Sequence, residues 1–177
     1  FGDDTIFKLL KKKGSNKINL YKKSVDLLVQ IQKIKQNKTK NFKGKNYIIP
    51  IYTNAELFNE TKLFLDWYAN KYIAKNKKKD FNAKIKKQIK FLLSRLKLKN
   101  KIFVHRDFHV SNLMKYKNKL ATIDTQDALI GNKAYDLASL IDDARYKSSK
   151  KFKDHIYNYY LKLNKKKINE NIFRNDF

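Results

Sequence analysis

The apolar residues follow two rhythms, one helical over most of the chain and one strand-like in a short middle stretch. From Ile18 to Ile34, Tyr21, Val25, Leu28, Ile31 and Ile34 recur at three- and four-residue steps, which predicts an amphipathic helix. Lys35 to Lys45 lacks that pattern and is expected to be a polar, basic loop. Asn54 is placed to cap a helix running through Leu57, Phe58, Leu63, Phe64, Trp67, Tyr68 and Tyr72. Asp80 is expected to cap the next, with Phe81, Ile85, Ile89, Leu92 and Leu96 on one face. After Asn100 the rhythm changes. Ile102-Phe103-Val104 is a β-branched and aromatic run suited to a short strand. Residues 113–116 and 120–123 flank Lys117-Asn118-Lys119 in the manner of a hairpin. Helical pattern returns over 133–145 and 150–163, and the chain stops at Phe173-Arg174-Asn175-Asp176-Phe177 inside an apparent helix. One proline, Pro50, and four glycines leave few breakers. The expected fold class is α+β, mostly α, with a small β-hairpin interrupting the helices.

Composition narrows the class. A length of 177 residues suits one domain, or part of a larger one, with room for a core. Apolar residues at 42% exclude a disordered chain despite a formal charge of +26. With no cysteine there is no disulfide framework, thiolate metal site or cysteine nucleophile. No apolar run approaches the roughly 20 residues that span a bilayer, and no signal peptide opens the chain, so a soluble cytoplasmic protein with no membrane partner is expected. The positive charge is almost all lysine: only Arg95, Arg106, Arg145 and Arg174 carry the fork that reads phosphate and guanine. Nucleic acid is therefore expected to bind only non-specifically, through surface Lys.

The acids are less evenly spread. Six of the 13 Asp lie between Asp107 and Asp143. Such clustering fits either a bound cation, since hard divalent ions take oxygen ligands, or helix caps and surface pairs with Lys. The order of the residues favours the cation. Residues 105–112 read His-Arg-Asp-Phe-His-Val-Ser-Asn, the H-R-D-x-x-x-x-N pattern of kinase catalytic loops, directly after the expected strand. That chemistry needs an Asp, here Asp107, to accept the proton of the attacking hydroxyl or orient the attack through it. It needs an Asn five residues on, Asn112, to hold Mg²⁺. It also needs a second carboxylate on the metal that bridges the ATP phosphates. Asp124 follows twelve residues after Asn112, where the hairpin ends.

Asp124 is followed by Thr-Gln, and no activation-loop signature is present, which sets the chain apart from protein kinases. It resembles instead the aminoglycoside phosphotransferase and choline kinase superfamily. Within that superfamily, several segments are similar to the anomeric sugar kinases of the N-acetylmuramate/N-acetylglucosamine type. These are His105-Arg106-Asp107 with Asn112-Leu113-Met114, Asp124-Thr125-Gln126-Asp127-Ala128, Tyr135-Asp136-Leu137-Ala138-Ser139-Leu140 and Asp143-Ala144-Arg145. Glu60 to Tyr68 is similar to a Glu-Leu-Phe-x-x-Trp-Tyr helix of that type, and Phe1-Gly2-Asp3 resembles the hinge before the family's C-terminal lobe.

The resemblance implies a protein-kinase-like C-terminal lobe made of one unit. Residues 1–15 would form the hinge region, 16–100 a helical acceptor-side part, and 101–177 the catalytic loop, metal-binding hairpin and following helices. The ATP-gripping N-terminal lobe would precede Phe1, and the isolated stretch is expected to be inactive. It implies Mg²⁺ and ATP as cofactors and a small sugar or alcohol as acceptor. The reading is phosphoryl transfer to the anomeric hydroxyl of an N-acetylated amino sugar, in the service of cell-wall recycling. Choline, homoserine or an aminoglycoside is the alternative acceptor, and a degenerate kinase-fold binding module the alternative class. Among supporting residues, His105 is expected to brace the loop by hydrogen bonds and Asp136 to brace or cap a helix against it, with Arg106 beside them. Gln126 and Asp127 either help to build the site or serve a hairpin-exit turn. Trp67 and Tyr68 either stack on a sugar face or belong to the core, and Glu60 is a candidate for binding sugar hydroxyls.

Overall fold

The computed structural model describes residues 4–35, 37–165 and 168–177. The hinge assigned to Phe1, Gly2 and Asp3 lies outside the described residues. Helices dominate. α1 (Ile6–Lys11) starts where the Thr5 hydroxyl accepts from the Lys8 amide, and it was not anticipated from the sequence. α2 (Lys17–Ile31) is capped by Asn16 and buries Tyr21, Val25, Leu28 and Ile31, the stripe that the spacing predicted.

α3 (Asn54–Leu63) begins one residue earlier than expected. Its cap is Thr53 rather than Asn54, in a capping box with Glu56, because Thr53 and Glu56 satisfy each other's free amides. The helix does not run on unbroken to Tyr72. A π-helical segment at Phe64–Ala69 intervenes before the short α4 (Asn70–Tyr72). Asp80 is not a cap: α5 (Lys75–Ser94) starts five residues before it, and Asp80 pairs with Lys84 at 2.8 Å along the exposed helix.

Among the described residues the strands form three two-stranded antiparallel sheets, where the sequence predicted one short strand and one hairpin. β1 (Lys38–Lys40) and β2 (Asn46–Ile48) lie in the segment read as loop. All six residues are exposed, so no apolar alternation advertised the pair. Its turn forms because the Asn41 side chain accepts from the Lys43 and Lys45 amides, both at 3.0 Å, and Gly44 adopts φ 72°. β4 (Leu113–Tyr116) and β5 (Lys119–Thr122) form the expected hairpin, with Tyr116 opposite Lys119 across a two-residue turn. β3 (Ile102–Val104) pairs with β6 (Leu129–Gly131), a strand too short to be seen in the sequence. Gly131 fits closely there: a Cβ would sit 3.0 Å from a Val104 methyl and 3.4 Å from the Tyr52 Cβ, so a side chain would have to push these neighbours aside. That close approach lets the Tyr52 amide donate to the Ile130 carbonyl at 2.8 Å.

α6 (Tyr135–Ile141), α7 (Lys150–Asn164) and α8 (Glu170–Asp176) complete the chain. The core joins α2, α6, α7 and α8 through Leu28, Leu137, Leu140, Ile156, Tyr160 and Phe173. Phe108 and Val110, inside the His105–Asn112 loop, are fully buried in that same core. The loop is therefore nailed down by Phe108 and Val110, with His105 and His109 also buried, while Arg106, Asp107, Ser111 and Asn112 are half-buried. No described helix is long and apolar enough to cross a membrane.

Leu28 is fully buried where α2 meets this core. Leu28→Ala should lower unfolding free energy by about 2–5 kcal/mol through lost transfer energy and the cavity left behind. Urea unfolding followed by circular dichroism would show a lower midpoint at an unchanged slope.

Candidate active site

The loop after β3 runs over the buried carboxylate of Asp136, at the start of α6. One Asp136 oxygen accepts from the His105 amide at 2.8 Å and the other from the Arg106 amide at 3.1 Å. Two adjacent amides thus converge on one buried acid, which explains why Arg106 holds a left-handed backbone, φ 72°. A second buried acid, Asp143, accepts from the Val110 amide at 3.3 Å and from the Arg145 amide at 2.9 Å. The loop is hung from carboxylates at both ends.

Asp107 and Asn112 are half-buried on its outer side. The Asn112 side-chain nitrogen donates to the Asp107 carbonyl at 3.1 Å, which leaves the side-chain oxygen of Asn112 available as an acceptor. The Ile123 amide donates to the Asn112 carbonyl at 3.1 Å, so Asp124 follows directly on a residue bonded to Asn112. Asp124 is exposed and left-handed, φ 68°, and one of its oxygens accepts from Gln126 at 2.7 Å. Asn112 and Asp124 are therefore neighbours through the hairpin register, each with an oxygen to offer. Hard oxygen donors of this kind suit Mg²⁺. No group of three or more His, Asp or Glu among the described residues is placed to hold a metal unaided.

His105 is fully buried, and burial holds its pKa below the ordinary value. Its Nε2–H donates to the Ile123 carbonyl at 3.0 Å and also meets the Thr122 hydroxyl, which ties the loop to the hairpin. It is a brace. His109 is likewise buried, with its pKa held down by burial and then by Arg145.

Glu60 reaches the loop from α3. Its carboxylate pairs with the Arg106 guanidinium and accepts from the Tyr52 hydroxyl. For Arg106, burial is the largest single influence and lowers the pKa, but Glu60 and Tyr52 together, by charge and hydrogen bonds, outweigh it and raise the pKa. The other arm of Arg106 donates to the Asp127 carbonyl at 3.3 Å; the Asp127 residue itself is exposed. Trp67 and Tyr68 are not core. Trp67 is 77% exposed, because the π-helical segment turns Leu65 and Ala69 inward instead. The ring contacts of Tyr68, to Phe64 and Tyr72, stay on its own helical stretch.

Three participants were missed from the sequence. Tyr52 sits after the only proline with no motif to mark it. Tyr135 precedes Asp136, and its hydroxyl lies 3.3 Å from that of Tyr52. Thr122 touches His105 across a hairpin whose facing residues sequence spacing cannot supply. For Asp143 a signal did exist, in Asp143-Ala144-Arg145, but no role could be attached to it before the loop was seen to rest on it.

Burial pushes the Asp136 pKa up from 3.8 to about 7, against the lowering effect of its two amide donors. The folded state then holds this proton more tightly than the unfolded chain does between those values. The contribution of Asp136 to stability is full below the unfolded value and is lost as pH rises to about 7. Urea unfolding between pH 4.5 and 7.5 should show this decline in the wild type, and Asp136→Asn should lack it.

Comparison with known proteins places the loop in context. A family model described as the phosphotransferase enzyme family matches residues 15–168. Similar curated proteins include an N-acetylmuramate/N-acetylglucosamine kinase of Neisseria meningitidis, 34% identical over 97 residues, covering 55% of this chain and 29% of that protein. Another, from Pseudomonas aeruginosa, is 30% identical over 129 residues, 73% of this chain and 36% of that protein. A third, from Caulobacter vibrioides, is 24% identical over 153 residues, 81% and 40% respectively. The chain thus spans about a third of the length of the curated relatives it matches.

Proposed function

The chain belongs to the phosphotransferase enzyme family, and on that premise we propose that it is the catalytic-loop part, a protein-kinase-like C-terminal lobe, of a Mg²⁺- and ATP-dependent kinase whose acceptor is an N-acetylated amino sugar. The observation that supports the reading is the register in which the Ile123 amide bonds the Asn112 carbonyl, so that Asp124 follows directly on Asn112's partner while the Asn112 side chain bonds the Asp107 carbonyl. The kinase names of the relatives support a sugar acceptor.

In this reading the acceptor hydroxyl oxygen attacks the γ-phosphorus, the bond to the β-phosphate oxygen breaks, and ADP leaves. Asp107 takes the hydroxyl proton or orients the oxygen for in-line approach. Asp107 is half-buried, and the loop that carries it is anchored on Asp136, Asp143 and the core. Magnesium held by Asn112 and Asp124 would supply charge neutralisation on the phosphate oxygens. Gln126 steadies Asp124 by its hydrogen bond, and His105 fixes the hairpin against the loop.

In the full-length enzyme, Asp107→Asn should lower turnover by roughly 10²–10⁴-fold, the scale of a positioned acid or base. Nucleotide affinity should barely change. Near-normal turnover would remove Asp107 from this role. ATP consumption measured with N-acetylmuramate, N-acetylglucosamine, choline, homoserine and an aminoglycoside identifies the acceptor, and a preference for any of the last three would overturn the sugar assignment.

Asp124→Ala should abolish the Mg²⁺ dependence of nucleotide binding while leaving acceptor affinity intact. Calorimetric titration of ATP with and without Mg²⁺ checks this, and equal Mg²⁺ dependence in mutant and wild type would sink the assignment.

A further inference from the structure

We propose that Glu60 is a positioning residue, which sets the catalytic loop against the hairpin exit through Arg106, and that it does not bind the acceptor. The inference rests on the kinase reading and reassigns a residue whose place in the sequence suggested sugar contact. Both carboxylate oxygens of Glu60 are engaged from within the protein. Oε1 pairs with the Arg106 guanidinium, and Oε2 accepts from the Tyr52 hydroxyl. Tyr52 is not a casual partner. It is 1% exposed, its ring lies 5.5 Å under the Arg106 guanidinium, and its backbone is bonded to Ile130 and Asn100. Burial and the bond to Glu60 hold the Tyr52 hydroxyl protonated, as the donor the carboxylate needs.

Arg106 is the element that transmits this hold. It precedes Asp107 directly, and its backbone is left-handed, a conformation that a residue with a long side chain keeps only under external constraint. Asp136 supplies that constraint at the backbone and Glu60 supplies it at the guanidinium. The second arm of Arg106 ends on the Asp127 carbonyl, three residues past Asp124. One side chain therefore spans the loop that carries Asp107 and the turn that carries Asp124. Glu60 decides where its guanidinium rests. The pair is partly sheltered, with side-chain exposures of 28% for Arg106 and 34% for Glu60, so loss of the carboxylate leaves a partly buried cation without its counter-charge, held only by the Asp127 carbonyl and the Tyr52 ring. The guanidinium would then move, and the spacing of the two carboxylates with it.

The test is a double-mutant cycle in the full-length enzyme with Glu60→Ala, Arg106→Ala and both together, plus Glu60→Gln. Glu60→Ala should lower kcat roughly 10–100-fold, the scale seen when a group that orients a reacting or ligating side chain is removed, with acceptor KM nearly unchanged. Glu60→Gln, which keeps an oxygen for Arg106, should retain more activity than Glu60→Ala. The double variant should be no slower than Arg106→Ala alone, because the two act as one unit. A raised acceptor KM at unchanged kcat would make Glu60 an acceptor ligand and overturn the proposal, as would additive losses in the cycle. Hydrogen exchange supplies a readout that needs no turnover: the amides of residues 105–107 and 124–127 should exchange faster in Glu60→Ala than in the wild type, with core peptides from α2 and α7 unchanged. Unchanged exchange there would overturn the positioning role by itself. An enzyme that phosphorylates none of the acceptors named above would instead count against the kinase reading, while the exchange result would still decide the role of Glu60.

Discussion

The arrangement depends on a carboxylate that never meets solvent. Asp136 is buried under the loop and accepts from two consecutive backbone amides, which otherwise would be unsatisfied in the interior. An acid costs free energy to bury, which is visible in its raised pKa, and two well-placed amides offset part of that cost. In return the chain turns sharply at Arg106, a turn that local propensity does not favour. The carboxylate, with two acceptor oxygens in one plane, gives each amide its own oxygen.

The loop is also anchored from the apolar side. Phe108 and Val110 sit in the same core as Leu28, Leu140 and Phe173, so shifting the loop would open cavities in the body of the protein. Polar hooks and apolar nails alternate along residues 105–112: the His105 and Arg106 amides on Asp136, Phe108 in the core, the Val110 amide on Asp143 with its side chain in the core, and Asn112 on both Asp107 and Ile123. A site built this way is stiff without being a strand or a helix.

The electrostatic setting separates into two scales. At long range the chain carries +26, spread mostly over lysines on exposed surfaces, and such a field favours the approach of polyanions such as nucleotides. At short range Asp107 lies on the loop and Asp124 and Asp127 at the hairpin exit, with Arg106 and Glu60 neutralising each other. In the function proposed above, that local excess of carboxylate oxygen is what allows a divalent cation to settle within a basic protein.

Much of this was legible in the sequence because it depends on neighbours along the chain. The stripe of α2, the β4–β5 hairpin, α7 and the His105–Asn112 loop are local patterns, and periodicity or residue order reveals them. Boundaries slipped where two local signals competed: Thr53 outranked Asn54 as a cap because only Thr53 has Glu56 three residues on, and Asp80 resembled a cap but sits inside a helix of lysines that starts earlier. The tertiary structure alone decided what joins residues distant in sequence. β6 exists because β3 lies beside it, and Tyr52 matters because Gly131 leaves room for it. Trp67 was turned outward by a π-helical segment that no spacing rule marks. Glu60 met Arg106 across 46 positions. Such pairings arise from packing of whole elements, and a one-dimensional pattern holds no record of which faces will meet.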